Sequence, residues 1–243
     1  MPVAFVTGGS KGIGAACAVA LADAGYDVAI TYASDESGAA EVVRAIESAG
    51  RRGVAYRADA RDPERAAEVV AEAEDALGPL DALVANAGVT RDGPAMRMDA
   101  EAFMEPIEVN LAGAFHVMRP VARGMARRRS GSIVAISSIV GRVGNAGQAN
   151  YAASKAGIVG LVRALAREVA PRGVRVNAVA PGMIQTRLTD VLTDEWREAL
   201  LERTALARLG EPADVAGPVV FLCGDRARFI TGTVLDVDGG LSL

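Results

Sequence analysis

Short apolar runs alternate with helix-patterned stretches along the whole chain, and this alternation constrains the fold more than any single motif. Residues 3–7, 27–32, 53–58, 81–85, 133–136, 174–179 and 233–237 read as strands. Between them, a segment from the glycine turn at 8–14 to near Gly25, then 36–49, 63–77, 99 to about 127, 151–170 and 212–222 read as helices. The run Ile133-Val134-Ala135-Ile136 is apolar throughout and reads as a buried strand. A strand–helix–strand order predicts a parallel sheet with right-handed crossovers, hence an α/β chain. Pro106 and Pro120 interrupt the 99–127 stretch. Each is expected to kink the helix or mark its true start.

The first strand leads into Gly8-Gly9-Ser10-Lys11-Gly12-Ile13-Gly14. Such a turn, between a strand and a helix N-terminus, brings backbone N–H groups close to a phosphate, and the helix dipole favours the negative charge. A glycine cluster also serves ordinary tight turns. The strand before it and the helix after it point to a dinucleotide. The second strand ends Thr31-Tyr32-Ala33-Ser34, without the carboxylate that an NAD site places there for the ribose 2′-hydroxyl. That end leaves room for a 2′-phosphate held by Lys11 and Ser34, which favours NADP(H). Lys11 also reads as a solvated surface charge, and Asp35 would reverse the preference if it pointed inward. Asp59-Ala60 ends the third strand, where a carboxylate could accept from an adenine amino group or simply cap a solvated turn. Asn86-Ala87-Gly88 follows the fourth strand and permits a turn whose backbone meets a cofactor.

The stretch Ser137 to Lys155 follows the fifth strand. Tyr151 and Lys155 are one helical turn apart on one face. Ser138 stands at the strand end, where parallel sheets build their sites. A hydroxyl, a phenol and an ammonium together suggest acid–base chemistry. Ser137 is the rival for the serine role.

The 243 residues are 51% hydrophobic and 23% charged, which describes a globular chain with a large core. A net charge of −4 supplies no general attraction for nucleic acid. Cys17 and Cys223 form no CxxC pattern and suit a reducing cytoplasm. No apolar run approaches a membrane span, and no signal-peptide pattern is expected. The single histidine, His116, reads as packed, and no metal site is expected. Residues 183–210 are polar and form a candidate substrate lid.

Taken together, Thr7-Gly8 through Gly14, Asp59, Asn86-Ala87-Gly88, Asn110, Ser138, Tyr151-x-x-x-Lys155 and Pro181-Gly182 with Thr186 resemble the motifs of the short-chain dehydrogenase/reductases. The resemblance covers essentially the full length and implies a single doubly wound Rossmann domain over residues 1–243, a parallel seven-stranded sheet with helices on both faces. Within that family the chain is most similar to the 3-oxoacyl-[acyl-carrier-protein] reductases of fatty acid biosynthesis. The similarity rests on Asn86 through Asp92, Met96-Arg97-Met98, Gly144 through Tyr151, and Phe229-Ile230-Thr231-Gly232 with Asp238-Gly239-Gly240. The chain departs from that pattern at Lys11, at Gln185 and Arg187, and at Ala85.

The resemblance implies hydride transfer between NADP(H) and a carbonyl carbon. Tyr151 would be the acid, its pKa of about 10 lowered by Lys155. Ser138 would hold the substrate oxygen. Lys155 would also hold ribose hydroxyls, and Asn110 would anchor a water for proton supply. The implied cofactor set is Gly8, Ser10, Lys11, Gly12, Ile13, Gly14, Tyr32, Ser34, Asp59, Ala60, Asn86, Ala87, Gly88, Tyr151, Lys155, Pro181, Gly182, Ile184 and Thr186. The resemblance further implies a homotetramer and, as partner, an acidic acyl carrier protein docking at Arg127–Arg129 and Arg172. Coenzyme A thioesters, polyketides, sugars or other secondary alcohols are the alternative substrates, and a dinucleotide-binding sensor without turnover is the non-enzyme alternative.

Overall fold

A computed structural model describes residues 1–185 and 201–243. Thr186, Arg187 and most of the expected lid at 183–210 lie outside the described residues. Seven parallel strands form one sheet in the order β3-β2-β1-β4-β5-β6-β7. They are β1 (Val3–Val6), β2 (Asp27–Tyr32), β3 (Gly53–Arg57), β4 (Ala82–Ala85), β5 (Gly131–Ile136), β6 (Val174–Pro181) and β7 (Val234–Val237). This is the doubly wound Rossmann order, and its switch point lies between β1 and β4.

Side chains leave each strand alternately to the two faces, so one apolar run feeds two cores. Val3 and Phe5 of β1, with Ile133 and Ala135 of β5, pack under α3 (Pro63–Leu77), α5 (Gly113–Arg128) and α7 (Ala149–Val169). Ala4 and Val6, with Val134 and Ile136, pack under α1 (Gly12–Asp23), α2 (Glu36–Ser48) and α8 (Pro212–Cys223). Double coverage accounts for central strands such as β1 and β4, which are apolar throughout. Among the described residues no helix is long and apolar enough to cross a membrane, and no group of side chains could hold a metal ion.

Two regions differ from the sequence expectation. The stretch after Asp99 stays helical past both prolines: α4 (Ala100–Pro106) runs into a π-helical turn, Ile107–Ala112, and then α5, with Pro120 inside it. The irregularity is concentrated in the wider turn directly after Pro106, and Asn110 sits in it; such turns recur at functional sites. In the expected glycine-rich loop, Val140–Val143 form one helical turn, α6.

Candidate active site

The loops after β1 and β4 meet at the switch point. Gly8 has φ +63°, and a Cβ on Gly14 would lie 2.2 Å from the Gly8 carbonyl oxygen and 2.4 Å from Nδ2 of Asn86. Only glycine fits there. The Asn86 amide donates to the carbonyls of Thr7 (2.9 Å) and Gly8 (3.1 Å), while the Thr7 hydroxyl accepts from the N–H groups of Asn86 (2.9 Å) and Ala87 (3.0 Å). The Asn86 side chain therefore welds the two loops, and backbone is what this segment has left to offer a ligand. Helix α1 begins after Lys11 without a side-chain cap, so its first N–H groups have no side-chain acceptor. A glycine cradle closing on an uncapped helix N-terminus fits a dinucleotide phosphate.

The adenosine end can be read from β2 and β3. Asp35 does not face inward: its carboxylate caps α2, accepting from Gly38 N at 3.1 Å and from the Ser37 hydroxyl at 3.3 Å. Lys11 and Ser34 are exposed, and Lys11 makes no ion pair with any described residue. Tyr32 is half-buried at the end of β2. Asp59 is bound by Arg61, whose Nη2 lies 2.6 Å from it, and this hydrogen bond holds its carboxyl below the ordinary range. Ala60 is pressed against α5: a Cβ on Gly113 would come within 2.8 Å of it, and Nδ1 of His116 lies 3.1 Å from its carbonyl oxygen.

The reacting groups converge where β5 and β6 end. The Ser137 hydroxyl donates to the Lys155 carbonyl at 2.8 Å and is committed there. Ser138 stands beside the Tyr151 phenol, where its hydroxyl favours the phenolate. Burial acts the other way and is the larger effect, so the Tyr151 pKa is raised, with the Asp92 charge adding to the rise. The expected lowering by Lys155 is not found. The Lys155 ammonium lies 5.6 Å from the Tyr151 ring centroid and donates to the Ile136 carbonyl at 2.8 Å. It is buried, and desolvation lowers its pKa to about 8.

Asn110 is fully buried on the π-helical turn. It accepts from Val89 N at 2.8 Å and donates to Val89 O and to the Ser154 hydroxyl, both at 3.0 Å. A Cβ on Gly88 would sit 3.2 Å from Oδ1 of Asn110 and 3.5 Å from Nζ of Lys155, so both groups flank the space that Gly88 leaves. Asn110, Gly88, Ser138, Tyr151 and Lys155 thus come together from four segments of chain, the last two residues sharing α7.

A family model described as enoyl-(acyl carrier protein) reductase matches residues 8–242. Two relatives named 3-oxoacyl-[acyl-carrier-protein] reductase FabG are each 45% identical. One, from Staphylococcus aureus, aligns over 98% of this chain and 97% of its own length. The other, from Vibrio cholerae, aligns over 98% of this chain and 96% of its own. A crystal structure from Sinorhizobium meliloti 1021, described as a short-chain alcohol dehydrogenase, has a TM-score of 0.95 at 41% identity and covers 99% of this chain and 96% of that one. The chain belongs to the short-chain dehydrogenase/reductase family. Members of this family are oxidoreductases that use a nicotinamide cofactor.

Other expected residues fall in mixed places. Pro181 ends β6, its carbonyl 3.5 Å from the Ser138 hydroxyl, and Gly182 N donates to Val237 O at 3.0 Å. The Ile184 side chain is buried in the apolar core, so only its backbone remains for a ligand. Arg129 and Arg172 lie together, with Nη2 of Arg129 3.4 Å from the Pro171 carbonyl. They precede β5 and β6, at the sheet edge opposite Ser138 and Pro181. Arg128 is tied to Glu74 at 3.1 Å and to the Leu80 carbonyl at 2.6 Å.

Four residues had no role in the sequence reading, Asp92 and Asn150 entering it only within stretches that carry the resemblance. Arg57 donates to the Ala33 carbonyl at 3.2 Å and brings a second cation to the end of β2. Asn150 is fully buried and accepts from Tyr151 N at 2.7 Å. Ser154 donates to Tyr151 O at 2.7 Å. Asp92 acts on the Tyr151 phenol. Polar residues on the buried face of α7 were the available signal for Asn150 and Ser154; nothing local marked Arg57 or Asp92.

Proposed function

We propose that this chain reduces the 3-oxo group of an acyl thioester, carried on acyl carrier protein in fatty acid biosynthesis, with NADPH. The observation that carries the reading is the meeting of Ser138 and a protonated Tyr151 phenol, with a buried Lys155 behind them and a glycine cradle on the same sheet edge. When bound, the dinucleotide supplies the hydride. The chain's own groups supply placement and the proton. Tyr151, kept protonated by burial, donates to the substrate oxygen, and Ser138 donates to the same oxygen. Lys155, with a pKa of about 8, is an ammonium at neutral pH that gives up its proton readily, so it can restore the phenol. Asn110 holds the loop at Val89 and keeps Gly88 open beside that ammonium.

Lys11, Arg57 and the uncharged end of β2 support NADP(H) over NAD(H), since Asp35, the carboxylate that follows β2, is turned to α2. Glycines 8, 12 and 14 with Ser10 and Ile13 would hold the pyrophosphate, and Asp59 with Ala60 the adenine. Arg129 and Arg172 form the basic pair offered to an acidic carrier. β5 spans about 20 Å, which separates that basic pair from Ser138 at the other end of the strand. Exposed Phe103, Phe115 and Phe221 are surface that copies of a homotetramer would cover.

The family description raises an enoyl thioester as a second substrate. The test is a panel of 3-oxoacyl and enoyl thioesters, on acyl carrier protein and on coenzyme A, with NADPH and NADH. The expected result is 3-oxoacyl reduction with NADPH, lost in Tyr151→Phe by about a thousandfold while NADPH binding persists. Turnover of enoyl thioesters alone, or an unchanged Tyr151→Phe, would overturn the reading.

A further inference from the structure

We propose that Asp92 is a positioning residue that latches the loop after β4 to the loop entering α7 and so holds Tyr151 in place. The proposal deepens the functional reading above and rests on Tyr151 being the proton donor.

Three successive residues of the first loop are each bonded across to the second. The Arg91 carbonyl accepts from Asn150 Nδ2 at 2.9 Å, Asp92 Oδ2 accepts from Gln148 Nε2 at 2.9 Å, and Gly93 N donates to the Gly147 carbonyl at 2.8 Å. The other Asp92 oxygen accepts from the Thr90 hydroxyl of its own loop. Gln148 is held in turn, its Oε1 accepting from Asn145 Nδ2 at 2.9 Å.

The middle link differs from its neighbours in using side chains at both ends. Arg91, next in sequence, pairs with Glu105 at 2.9 Å rather than with Asp92. Asp92 forms no ion pair with any described residue, so its charge acts wholly through neutral donors. Hydrogen bonds to an ionised acceptor are the stronger kind, which suits a latch made at an exposed position. Gln148 immediately precedes α7, and Tyr151 is the third residue of that helix. A shift at Gln148 therefore moves the phenol. The same carboxylate adds to burial, the larger effect, in disfavouring the phenolate.

The test uses Asp92→Ala, Gln148→Ala and the double variant. The measurements are kcat and KM for the carbonyl substrate, dinucleotide affinity by fluorescence titration, and amide hydrogen exchange. Each single change is expected to lower kcat/KM about tenfold, and the double to do no worse than either, since the two side chains act as one unit. Dinucleotide affinity stays unchanged. Asp92→Asn, which keeps one acceptor oxygen and a donor for Thr90, restores most of the activity. Exchange at residues 144–150 becomes faster in Asp92→Ala. Additive losses, a loss carried by dinucleotide affinity, or unchanged exchange at 144–150 would each overturn the latch. An unmodified chain that reduces no carbonyl ends the functional reading by itself, and the exchange measurement still decides the latch.

Discussion

The Ser137 hydroxyl donates to the Lys155 carbonyl at 2.8 Å, while the Lys155 ammonium reaches back to the carbonyl of Ile136, the residue before Ser137, also at 2.8 Å. The end of β5 and the first turns of α7 are thereby clamped in both directions. Neighbouring serines acquire different work: Ser137 closes the clamp, and Ser138 is left beside Tyr151.

Substitution separates the two serines. Ser137→Ala is expected to cost about 1 kcal/mol of stability, one buried hydrogen bond, with kcat changed little per folded molecule. Ser138→Ala is expected to lower kcat about a hundredfold with stability unchanged, because it removes a donor to the developing oxyanion. Urea unfolding and steady-state kinetics on both variants check this, and the reverse assignment would show as exchanged effects.

Lys155 gives stability a pH dependence of predictable sign. Its pKa is about 8 in the folded chain against an ordinary 10.5. Below pH 8 both states hold the proton, and the cost of burying the ammonium is fully present. Between about 8 and 10.5 the unfolded chain binds more protons, so this group makes stability rise with pH. Lys155→Met is expected to be about 2 kcal/mol more stable than the parent at pH 7, after allowing for the lost partner of Ile136, and to lose that advantage by pH 10.5. Urea unfolding at both pH values measures it. The variant should be inactive at either.

On the proposed reading, charges at the end of β2 set the preference for NADPH. Lys11→Ala and Arg57→Ala are each expected to raise KM for NADPH about tenfold and to leave KM for NADH alone, because each removes one contact to a 2′-phosphate. Ser34→Asp places a carboxylate where that phosphate would sit and is expected to reverse the preference. Equal effects on both dinucleotides would remove these residues from phosphate recognition.

Asn110 ties three segments through three side-chain hydrogen bonds, all to buried or half-buried residues. Asn110→Ala leaves the Val89 N–H and C=O without their side-chain partner and is expected to destabilise by about 3 kcal/mol. Activity should fall beyond what unfolding explains, since the Gly88 loop beside Lys155 is released. Denaturant titration with parallel kinetics separates the two losses.

Much of this architecture is written locally. A strand such as Ile133–Ile136 is legible because four adjacent apolar residues need cover on both faces, and both cores are there to provide it. The turn from Gly8 to Gly14 was legible because backbone crowding admits only glycine at Gly14, and the one-turn spacing of Tyr151 and Lys155 follows from helix geometry. Even the identity of the helix beyond Asp99 was readable, although not the π-helical turn that takes up Pro106.

What tertiary structure alone decided is the partner of each polar side chain. Asp35 could have entered the cofactor site and instead caps its own helix. Lys155 could have faced the phenol directly and instead holds Ile136. Residue type does not separate Ser137 from Ser138; the family resemblance favoured Ser138, and the fold leaves that hydroxyl beside Tyr151. The Asp35 cap is local, three residues along the chain, but the links of Ser137 and Lys155 join residues 18 and 19 positions apart, and those of Asn110 join residues 21 and 44 apart. Apolar periodicity is a property of neighbours along the chain and survives in the sequence. A hydrogen bond needs a donor and an acceptor about 3 Å apart, and the strand order 3-2-1-4-5-6-7 is what brings them there.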